Sequence, residues 1–561
     1  MNRKIEMLAV IMLVFMFSNV VHAEIMNALV NTPYQEGIDP DPEMFFENRE
    51  KMHTVVDGAV NWTQLLNPLA GNDPLFPKEK GAVLVELKGV AHAFINPGAK
   101  SDPVTLRDEQ RIYYFYRGNG KVSCNGKTAD VRDGIGLLIP PGLEYTLENN
   151  GADVLAMYII QEPIPEGFTP NKEMLVKDEY KLTFLSGGGH WWHLGTERLF
   201  SKEEGLAVLT GCRPVKFDAM TMSQPHSHNK NSEECWFSVR GTSNKALLGK
   251  KFFDFPPGTI YKVPADAVSA HANINTSEDS SMKVFWMMIS KSGDRPDYGR
   301  LDPAALDMNI HPDIDMFISN WREEAPVITH GGLVERDVLT QAAGDPLKPH
   351  RRGAVLKYTK QFSYATLYGR TITTETTPEH EQELFYIVSG NGELEADGKK
   401  YALHKDVAVL VPEGMTFKIA NLSAEDLTMY HIVEPAPTGF DSADEIIWRD
   451  ESLQSVHTRT AHWVNTNRRL IDKENFSDLY FFLTVTIPPN TFAQPHSHGE
   501  NIEEVWLALT DNAYVLLGKE LRKLNKGTAY MIPPDDATPH ANFNITGEPV
   551  KFLYFARGWD K

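Results

Sequence analysis

Cysteine is scarce in this chain, which has three cysteines among its 561 residues. Three thiols cannot form the disulfide framework that stabilises small extracellular scaffolds. An internal repeat places alanine, phenylalanine and valine at the positions that match Cys124, Cys212 and Cys235, so apolar residues serve equally well there. We therefore expect all three cysteines to pack in the core.

Basic residues are also in deficit. Lys and Arg number 55 against 75 Asp and Glu, which gives a formal net charge of -20. Binding to nucleic acid or to an anionic membrane surface draws on clustered Lys and Arg, because both partners are polyanions. We expect a small-molecule substrate, no nucleic-acid partner and no membrane partner, while the sequence leaves the oligomeric state open.

Long hydrophobic runs are absent beyond the N-terminus. The one apolar run extends from Leu8 to Val21, follows two basic residues and ends in Val21-His22-Ala23. A basic start, a short apolar stretch and a small-residue site are typical of a cleaved signal peptide, and the run is short for a membrane span. We expect residues 1–23 to be a signal peptide and the mature protein to be secreted or periplasmic.

One phrase that suits metal binding occurs twice. Gln-Pro-His-Ser-His stands at residues 224–228 and 494–498, each time followed by a pair of glutamates and later by His-Ala-Asn-x-Asn. His-x-His on a strand places two imidazoles on one face, and a carboxylate with a distant histidine completes a set for one divalent metal. The sequence therefore predicts two sets of metal ligands: His226, His228, Glu234 and His271, and His496, His498, Glu504 and His540.

Each pair of glutamates leaves a choice of ligand. Neighbouring residues on a strand face opposite sides, so only one of Glu233 and Glu234, and one of Glu503 and Glu504, can bind metal. We favour Glu234 and Glu504, because their distance to the next turn fixes the strand register better than a variable loop does. These two also receive the catalytic assignment, since either glutamate of a pair could act as a base toward a substrate.

Four residues beside the ligands are the candidate substrate-binding residues: Gln224, Gln494, Trp236 and Trp506. The glutamines stand two residues before the first histidine of each set, so on a strand they would share its face and could orient a ligand, a water or a substrate. A second repeated feature, His190-Trp191 and His462-Trp463, could stack on a substrate or fill a seam between modules.

Two further repeated pairs are expected to have structural roles. Asn275 and Asn544 follow the third histidine of each set and are expected to hold the nearby backbone in place. Tyr261 and Tyr530 recur in a Gly-Thr-x-Tyr phrase and are expected to lie in the core.

The repeated phrases belong to a duplication of the chain. Residues 111–149 match residues 383–421, and the repeating unit has about 270 residues. Each unit begins with a segment that keeps the outline of the metal-binding segment but places Tyr145 or Phe417 at the position of the third histidine. Glu383, with His380 nearby, offers too few ligands for a divalent ion, so we expect no metal there. We therefore expect a segment without metal ligands, called blank below, and a metal-binding segment to alternate twice along the chain.

The pattern of hydrophobicity indicates an all-β fold. Short apolar or alternating runs, such as 83–87, 135–139 and 408–411, recur between turns rich in Gly, Pro, Asn and Asp. No long segment with a helical period competes with them. We expect antiparallel barrels or jelly rolls, with helix only in patches around 42–51 and 303–319.

The two ligand sets and their spacing resemble the cupin superfamily. Its first motif is a His-x-His pair followed by a glutamate and a glycine, and its second is a glycine, a proline, a histidine and an asparagine. Both occur twice, although Asp511 replaces the closing glycine of one, and the loop before the third histidine is two residues longer than the pattern. The resemblance implies four cupin jelly-roll or β-barrel modules, arranged as two duplicated bicupin units.

The resemblance and the repeat together divide the chain into seven segments. They are a signal peptide (1–23), an N-terminal extension (24–75), a blank module 1 (76–165), a metal-binding module 2 (178–292), a linker (293–344), a blank module 3 (345–436) and a metal-binding module 4 (445–561).

The resemblance implies a metal-dependent activity but does not identify the reaction. Cupins include dioxygenases, oxalate-degrading enzymes, sugar isomerases, lyases, and storage or binding proteins. We favour a metal-dependent oxidoreductase, a dioxygenase of a small oxygenated organic substrate, with two divalent transition metal ions per chain, Fe or Mn before Zn, Ni or Cu. The alternatives are a redox-neutral sugar or uronate isomerase or lyase in polysaccharide breakdown, and a non-enzymatic binding or storage protein.

Overall fold

The computed structural model describes residues 34–186, 193–228, 232–290, 312–458 and 465–557. These residues form an all-β structure, as the sequence predicts, in two compact units, Tyr34–Gly299 and Arg300–Lys561. The predicted signal peptide lies outside the described residues. In the part of the chain that the structure describes, no helix is long and apolar enough to cross a membrane.

Helix is confined to single 3₁₀ turns within the described ranges. Two of them fall in the patch expected at 42–51, and one falls in the described part of 303–319. Side chains of Asp or Asn cap several of these turns at their N-terminal ends. The turns are Pro42–Phe45, Arg49–Lys51, Glu179–Lys181, Lys202–Glu204, Ile314–Phe317, Trp321–Glu323, Glu451–Leu453 and Lys473–Asn475.

Module 1 is a barrel made of a large sheet and a small sheet, and it extends beyond the predicted bounds 76–165 to include strands within residues 55–68 and 175–178. The strands of the large sheet, in spatial order, are Leu175–Asp178, Ile135–Ile139, Glu109–Arg117, Leu155–Pro163, Gly89–Ile95, Val60–Pro68 and Val55–Asp57, with Ala82–Leu84 parallel to Val60–Pro68. The small sheet contains Val104–Thr105, Glu144–Glu148, Asn119–Cys124 and Lys127–Arg132. A buried cluster that includes Phe115, Leu137 and Ile159 fills the barrel.

Module 2 repeats this architecture. The strands of its large sheet are Phe46–Asn48, Thr259–Lys262, Ser232–Arg240, Met282–Ser290, Gly211–Phe217, His193–Thr196 and Phe184–Ser186, with Phe200–Ser201 paired to Gly211–Phe217. The opposite wall contains Lys251–Asp254, Asn244–Leu248, His271–Asn275 and Thr221–Met222. Its edge strand Phe46–Asn48 comes from the segment before module 1, so the chain crosses between the two modules at its start.

Module 3 has the strand order of module 1. Its large sheet contains Val327–Thr329, Leu333–Gln341, Gln361–Leu367, Leu427–Pro435, Glu381–Ser389, Val407–Val411 and Ile447–Asp450, with Ala354–Leu356 parallel to Leu333–Gln341. Its small sheet contains Thr371–Ile372, Phe417–Asn421, Asn391–Ala396 and Lys399–His404. Two of these strands, Val327–Thr329 and Leu333–Gln341, lie in the segment 293–344, which the sequence interprets as a linker.

Module 4 matches module 2. Its large sheet contains Ile318–Asn320, Thr528–Met531, Glu503–Ala508, Val550–Arg557, Phe481–Ile487, Thr466–Asp472 and Val456–His457. The opposite wall contains Glu520–Leu524, Ala513–Leu517, His540–Asn544 and Thr491–Phe492. The edge strand Ile318–Asn320 precedes module 3 in the chain, so the crossing seen in the first unit recurs here.

Within each unit, the blank module packs against the metal-type module through large aromatic side chains. Tyr158 stacks on Phe237 with ring centroids 4.5 Å apart, and Tyr114 lies 4.4 Å from Phe285. One buried cluster runs through both modules of the first unit, and a second does the same in the second unit. Burial of this apolar surface holds the bicupin arrangement together.

Two buried glutamates reinforce this interface by reaching in opposite directions. Glu162 of module 1 accepts the backbone N–H groups of 207–209 in module 2, at 3.1, 2.8 and 2.7 Å. Glu233 of module 2 accepts those of Val85 and Leu87 in module 1, at 2.5 and 3.2 Å. Glu434 and Glu503 repeat the exchange in the second unit. Each carboxyl group accepts several backbone N–H groups of the other module, so each pair of glutamates links two modules.

All three cysteines are buried and free, as expected of core residues. Burial raises the pKa of each thiol.

Candidate metal centres

The first predicted ligand set comes together inside module 2. The donor atoms of His226, His228, Glu234 and His271 all lie within 4.8 Å of one another, and all four residues are buried. Oε2 of Glu234 is 2.8 Å from Nε2 of His228 and 2.9 Å from Nε2 of His271. Nε2 of His271 is 3.2 Å from Nε2 of His226.

The second predicted set comes together in module 4 in the same way. The donor atoms of His496, His498, Glu504 and His540 also lie within 4.8 Å of one another. Glu504 is 3.1 Å from Nε2 of His498 through Oε2 and 3.3 Å from Nε2 of His540 through Oε1. Nε2 of His540 lies 3.2 Å from Nε2 of both other histidines.

Both sets fit a single divalent transition metal ion. Donors that bind one ion at about 2.0 to 2.2 Å are themselves about 3 Å apart, which is the spacing of these nitrogens and oxygens. Three imidazoles and one carboxylate suit iron, manganese, copper, nickel or zinc. The structure thus supports metal binding at two places, and the identity of the metal stays a prediction.

The His-x-His segments differ from the expectation in one respect. His226 and His496 lie in irregular segments and make only isolated bridges, to His271 and His540, so the pairs are not on regular strands. Pro225 and Pro495 lack the N–H that a strand ladder needs, which accounts for the irregular backbone. The bridges, rather than strand alternation, bring the imidazoles to the centre.

Gln224 and Gln494 support the first histidine of each set through their backbone. Nδ1 of His226 lies 2.9 Å from the carbonyl oxygen of Gln224, and Nδ1 of His496 lies 3.0 Å from that of Gln494. A proton held on Nδ1 by this carbonyl leaves the lone pair of Nε2 for a metal. The backbone carbonyl groups make this contact, and an orienting or substrate-binding role of the buried glutamine side chains stays a prediction.

The electrostatics of the first set suit a metal. Burial alone would raise the pKa of Glu234, but the imidazoles of His228 and His271 outweigh it and hold that pKa well below its usual value. Burial lowers the pKa of His271, which favours the neutral imidazole that a metal requires. These pKa shifts favour an ionised Glu234 beside a neutral His271.

Glu233 and Glu503 point away from the ligand sets. Their carboxylates accept the backbone N–H groups of the neighbouring blank module, and desolvation raises the pKa of both. The structure therefore separates the two glutamates of each pair, with Glu234 and Glu504 beside the histidines and the other member at the module interface.

Aromatic donors hold the glutamates of the two sets, and two of them, Trp286 and Tyr554, are not singled out by the sequence. The indole N–H of Trp286 donates to Oε1 of Glu234. In module 4 the indole N–H of Trp506 donates to Oε1 of Glu504 at 2.7 Å, and the hydroxyl of Tyr554 donates to Oε2 at 3.1 Å. An aromatic residue at the same strand position in both repeats, Trp286 and Tyr554, is the signal that could have identified them.

Trp236 and Trp506 lie close to the third histidine of each set. Their ring centroids are 6.1 Å and 6.3 Å from those of His271 and His540, and both side chains are buried. Trp506 thus supports a ligand directly, while contact of either indole with a substrate stays a prediction.

The other repeated residues have the expected structural positions. Asn275 donates to the carbonyls of Asp218 and Ser280, and Asn544 donates to the carbonyls of Ile487 and Glu548, so both hold backbone in place. Tyr261 and Tyr530 are fully buried in the core. Their hydroxyls also donate to Asn273 and Asn542, at 3.0 and 2.9 Å.

The loop that is longer than the cupin pattern is built in the same way in both metal-type modules. Oδ1 of Asp266 accepts the backbone N–H groups of Val268 and Ser269, and Oδ1 of Asp535 accepts those of Ala537 and Thr538. Such Asx turns stabilise tight loops. The extra residues therefore leave the third histidine in place.

The His190-Trp191 and His462-Trp463 pairs lie outside the described residues.

Comparison with known proteins gives one family match. The cupin domain model matches residues 366–433, which lie in module 3. No curated protein matches the chain.

Several solved structures resemble parts of the chain. A 7S globulin of Momordica charantia is 12% identical, with a TM-score of 0.35, over 45% of this chain and 86% of its own. A variant of oxalate decarboxylase from B. subtilis is 12% identical, with a TM-score of 0.34, over 45% of this chain and 79% of its own. A putative glyoxylate-induced protein from Pseudomonas aeruginosa is 15% identical, with a TM-score of 0.35, over 46% of this chain and 95% of its own.

The family match thus joins two observations made on the chain itself. One barrel architecture recurs four times within the described residues, and two of the barrels contain three histidines and a glutamate arranged for one metal ion. Residues 366–433 are thus a cupin domain, in a chain whose described residues form four barrels of similar strand order.

Proposed function

We propose that this protein is a metal-dependent cupin oxidoreductase, a dioxygenase that acts on a small oxygenated organic substrate. The convergence of three imidazoles and one carboxylate in each metal-type module carries this proposal. The donor set is largely buried in both modules, and the first histidine of each is oriented through Nδ1. The histidines of the first set hold the pKa of Glu234 well below its usual value, which favours its ionised form. A storage or binding protein would not need two complete sets of this kind.

Four protein ligands leave about two positions open on a six-coordinate ion. An iron or manganese ion held there would supply the redox chemistry that activates dioxygen, together with a binding position for a substrate oxygen. The protein contributes one negative charge at each site, from Glu234 or Glu504. A divalent ion would leave a net positive charge, so the sites favour a substrate that binds through an anionic oxygen.

The protein groups around the ion have separate tasks. Trp286 in module 2, and Trp506 with Tyr554 in module 4, fix the carboxylate by hydrogen bonds, which keeps its orientation constant when a substrate arrives. Glu233 and Glu503 are engaged by backbone N–H groups and cannot reach the site as bases. Proton removal from a substrate therefore rests on Glu234 and Glu504, or the substrate binds already ionised.

The proposed compartment is extracytoplasmic. The apolar run and cleavage pattern within residues 1–23 support export of the protein. The acidic net charge of -20 agrees with an enzyme whose partners are small molecules.

Oxygen consumption tests the proposal. The mature protein, loaded with Fe²⁺ or Mn²⁺, is screened with hydroxy acids, diols and dicarbonyl compounds in an oxygen electrode. We expect uptake that disappears in the double variant His228→Ala, His498→Ala and persists in the control variant His404→Ala, at a partly exposed position of module 3. Turnover that continues without oxygen, or with Zn²⁺ or Ni²⁺ alone, would instead indicate the isomerase or lyase reaction.

A further inference from the structure

Module 3, which lacks the cupin histidines, contains a buried cluster of two histidines and two glutamates. Glu383 stands on the strand Glu381–Ser389, seven residues before a glycine, as Glu234 does in module 2. Oε2 of Glu383 lies 2.9 Å from Nε2 of His330 and 3.0 Å from Nε2 of His431. These distances match the 2.8 and 2.9 Å between Glu234 and its two histidines.

The fourth member of the cluster, Glu335, supports the other nitrogen of each ring, directly in His431 and through a hydroxyl in His330. Its Oε2 lies 3.2 Å from Nδ1 of His431, whereas Nδ1 of His330 lies 2.9 Å from Oγ1 of Thr329, which in turn donates to Oε1 of Glu335. The hydroxyls of Thr329 and Ser363 donate to the same carboxylate, which fixes it in place. A carboxylate on Nδ1 is the usual support of a metal-binding histidine, because it holds the proton there and turns the lone pair of Nε2 toward the ion.

The fold itself does not require this cluster. In module 1, pairing of the equivalent strands places Trp62, Arg111 and Ile159 at the positions of Glu335, Glu383 and His431. There the guanidinium of Arg111 lies 5.1 Å from the ring centroid of Trp62, so one cation–π pair fills the same part of the barrel. Module 3 has thus replaced a hydrophobic and cationic interior by potential metal ligands.

The surroundings of the cluster resemble those of the two metal-type sets. Phe385 stacks on His431 with ring centroids 4.5 Å apart, and Phe417 lies 5.8 Å from His330. The side chains of His431, Glu335 and Glu383 are 3%, 1% and 4% exposed. The ring centroids of His330 and His431 are 5.7 Å apart, compared with 5.4 Å for His228 and His271.

Charge balance in this interior points to a cation. Two buried carboxylates face two imidazoles, and a charge buried in a barrel needs a nearby partner. With the proton of His431 held on Nδ1 by Glu335, the lone pair of Nε2 faces a carboxylate oxygen of Glu383, and this approach is favourable only when a cation or a second ring proton lies between them. A divalent ion between two neutral imidazoles and two carboxylates satisfies every one of these groups.

We propose that module 3 holds a third metal site, in which His330, His431 and Glu383 bind a divalent transition metal ion such as Zn²⁺ and Glu335 positions the two imidazoles. Binding requires His330 to draw slightly closer to His431. His330 stands in the turn between Val327–Thr329 and Leu333–Gln341, where it has a positive φ of 48° beside two glycines, so a small adjustment of this turn suffices.

Metal stoichiometry on the full-length mature chain tests the proposal. The protein is stripped with chelator, reloaded with Zn²⁺, desalted and measured by elemental mass spectrometry. We expect three equivalents in the natural chain, two in His431→Gln, and three in His404→Gln, which changes a partly exposed histidine of the same module. His330→Ala, in a turn between two strands, is a second variant that removes a ligand without altering a strand of the barrel, and two equivalents are expected there too.

A cobalt titration gives an independent readout. In a background in which both histidines of each His-x-His pair are replaced by alanine (His226, His228, His496 and His498), we expect one equivalent of Co²⁺ to bind with visible absorption, and we expect Glu383→Gln to abolish that absorption. A natural chain that binds only two equivalents, with no cobalt signal in this background, would overturn the proposal. Three equivalents that survive both His431→Gln and His330→Ala would overturn it as well.

Discussion

Glu233 and Glu234 are neighbours on one strand, and their carboxylates serve different modules. Glu234 lies 2.8 Å from His228 in the ligand set of module 2, whereas Glu233 accepts the backbone N–H of Val85 in module 1 at 2.5 Å. Strand alternation sends the two side chains to opposite faces. The strand that supplies a metal ligand is thereby also the strand that fastens the blank module, and Glu503 and Glu504 repeat the relationship.

The first prediction separates the two glutamates. We expect Glu234→Gln to weaken metal binding in module 2 while the fold persists, because a neutral amide replaces the one anionic ligand of the set. We expect Glu233→Gln to keep the metal and to lower the free energy of unfolding by about 1 to 3 kcal/mol, because its backbone N–H partners lose a charged acceptor. Elemental analysis and urea unfolding measure the two effects. Metal loss in Glu233→Gln with retention in Glu234→Gln would reverse the assignment.

The second prediction concerns the indole that holds Glu504. Trp506→Phe keeps most of the ring in the core but removes the N–H donor to Oε1 of Glu504. Loss of such an outer contact lowers metal affinity by about 10- to 100-fold. We expect this weakening in module 4 alone, as seen by competition with a chelator of known affinity. Trp448→Phe, at a partly exposed tryptophan of module 3, is the control and should leave both affinities unchanged.

The third prediction is a pH dependence of the first unit. Burial, with the Arg49 guanidinium beside it, lowers the pKa of His92 from 6.5 to about 3. Above pH 6.5 the imidazole is neutral in both the folded and unfolded chains, so its contribution is constant there. As the pH falls below 6.5, His92 becomes protonated in the unfolded chain but stays neutral in the folded chain. The free energy of unfolding therefore decreases progressively down to about pH 3.

The difference between the natural chain and His92→Gln isolates this effect. Relative to the variant, we expect the natural chain to lose about 2 kcal/mol between pH 7 and pH 5, since each pKa unit corresponds to about 1.4 kcal/mol. Urea unfolding at a series of pH values measures the difference. Parallel curves for the two proteins would show that His92 titrates normally.

The fourth prediction concerns the cysteines. All three are buried, so the native protein should not react with a thiol reagent, and all three should react after denaturation. Cys235→Val copies the residue at the matching position, Val505, and should change the free energy of unfolding by less than about 1.5 kcal/mol. Rapid labelling of one thiol in the native state would contradict the core assignment.

Much of this structure could be predicted from local sequence signals. Alternating strands between Gly, Pro and Asn turns predict the all-β fold, and the recurrence of Gln-Pro-His-Ser-His predicts two equivalent sites. The ligands could be named because their motif spacing is short and repeated. A strand period of two allows only one of Glu233 and Glu234 as a ligand, and the distance to the next turn favours Glu234.

Contacts between distant segments could not be predicted in this way. Glu233 meets Val85 from 148 positions away, and the edge strand Phe46–Asn48 joins the sheet of module 2 across the whole of module 1. The cluster in module 3 could not be predicted for the same reason, because His330, Glu383 and His431 are far apart in the sequence and share no motif. The nearby His380, which sequence proximity suggested as a partner of Glu383, is largely exposed and contacts Glu413 instead.

The central claim is that the two sets of three histidines and one glutamate hold redox-active metal. Elemental mass spectrometry of the natural chain and of His228→Ala, His498→Ala, both purified from the native host, tests it most directly. The account predicts that the natural chain contains two more equivalents of iron or manganese than the double variant. Equal metal contents in the two proteins would contradict it.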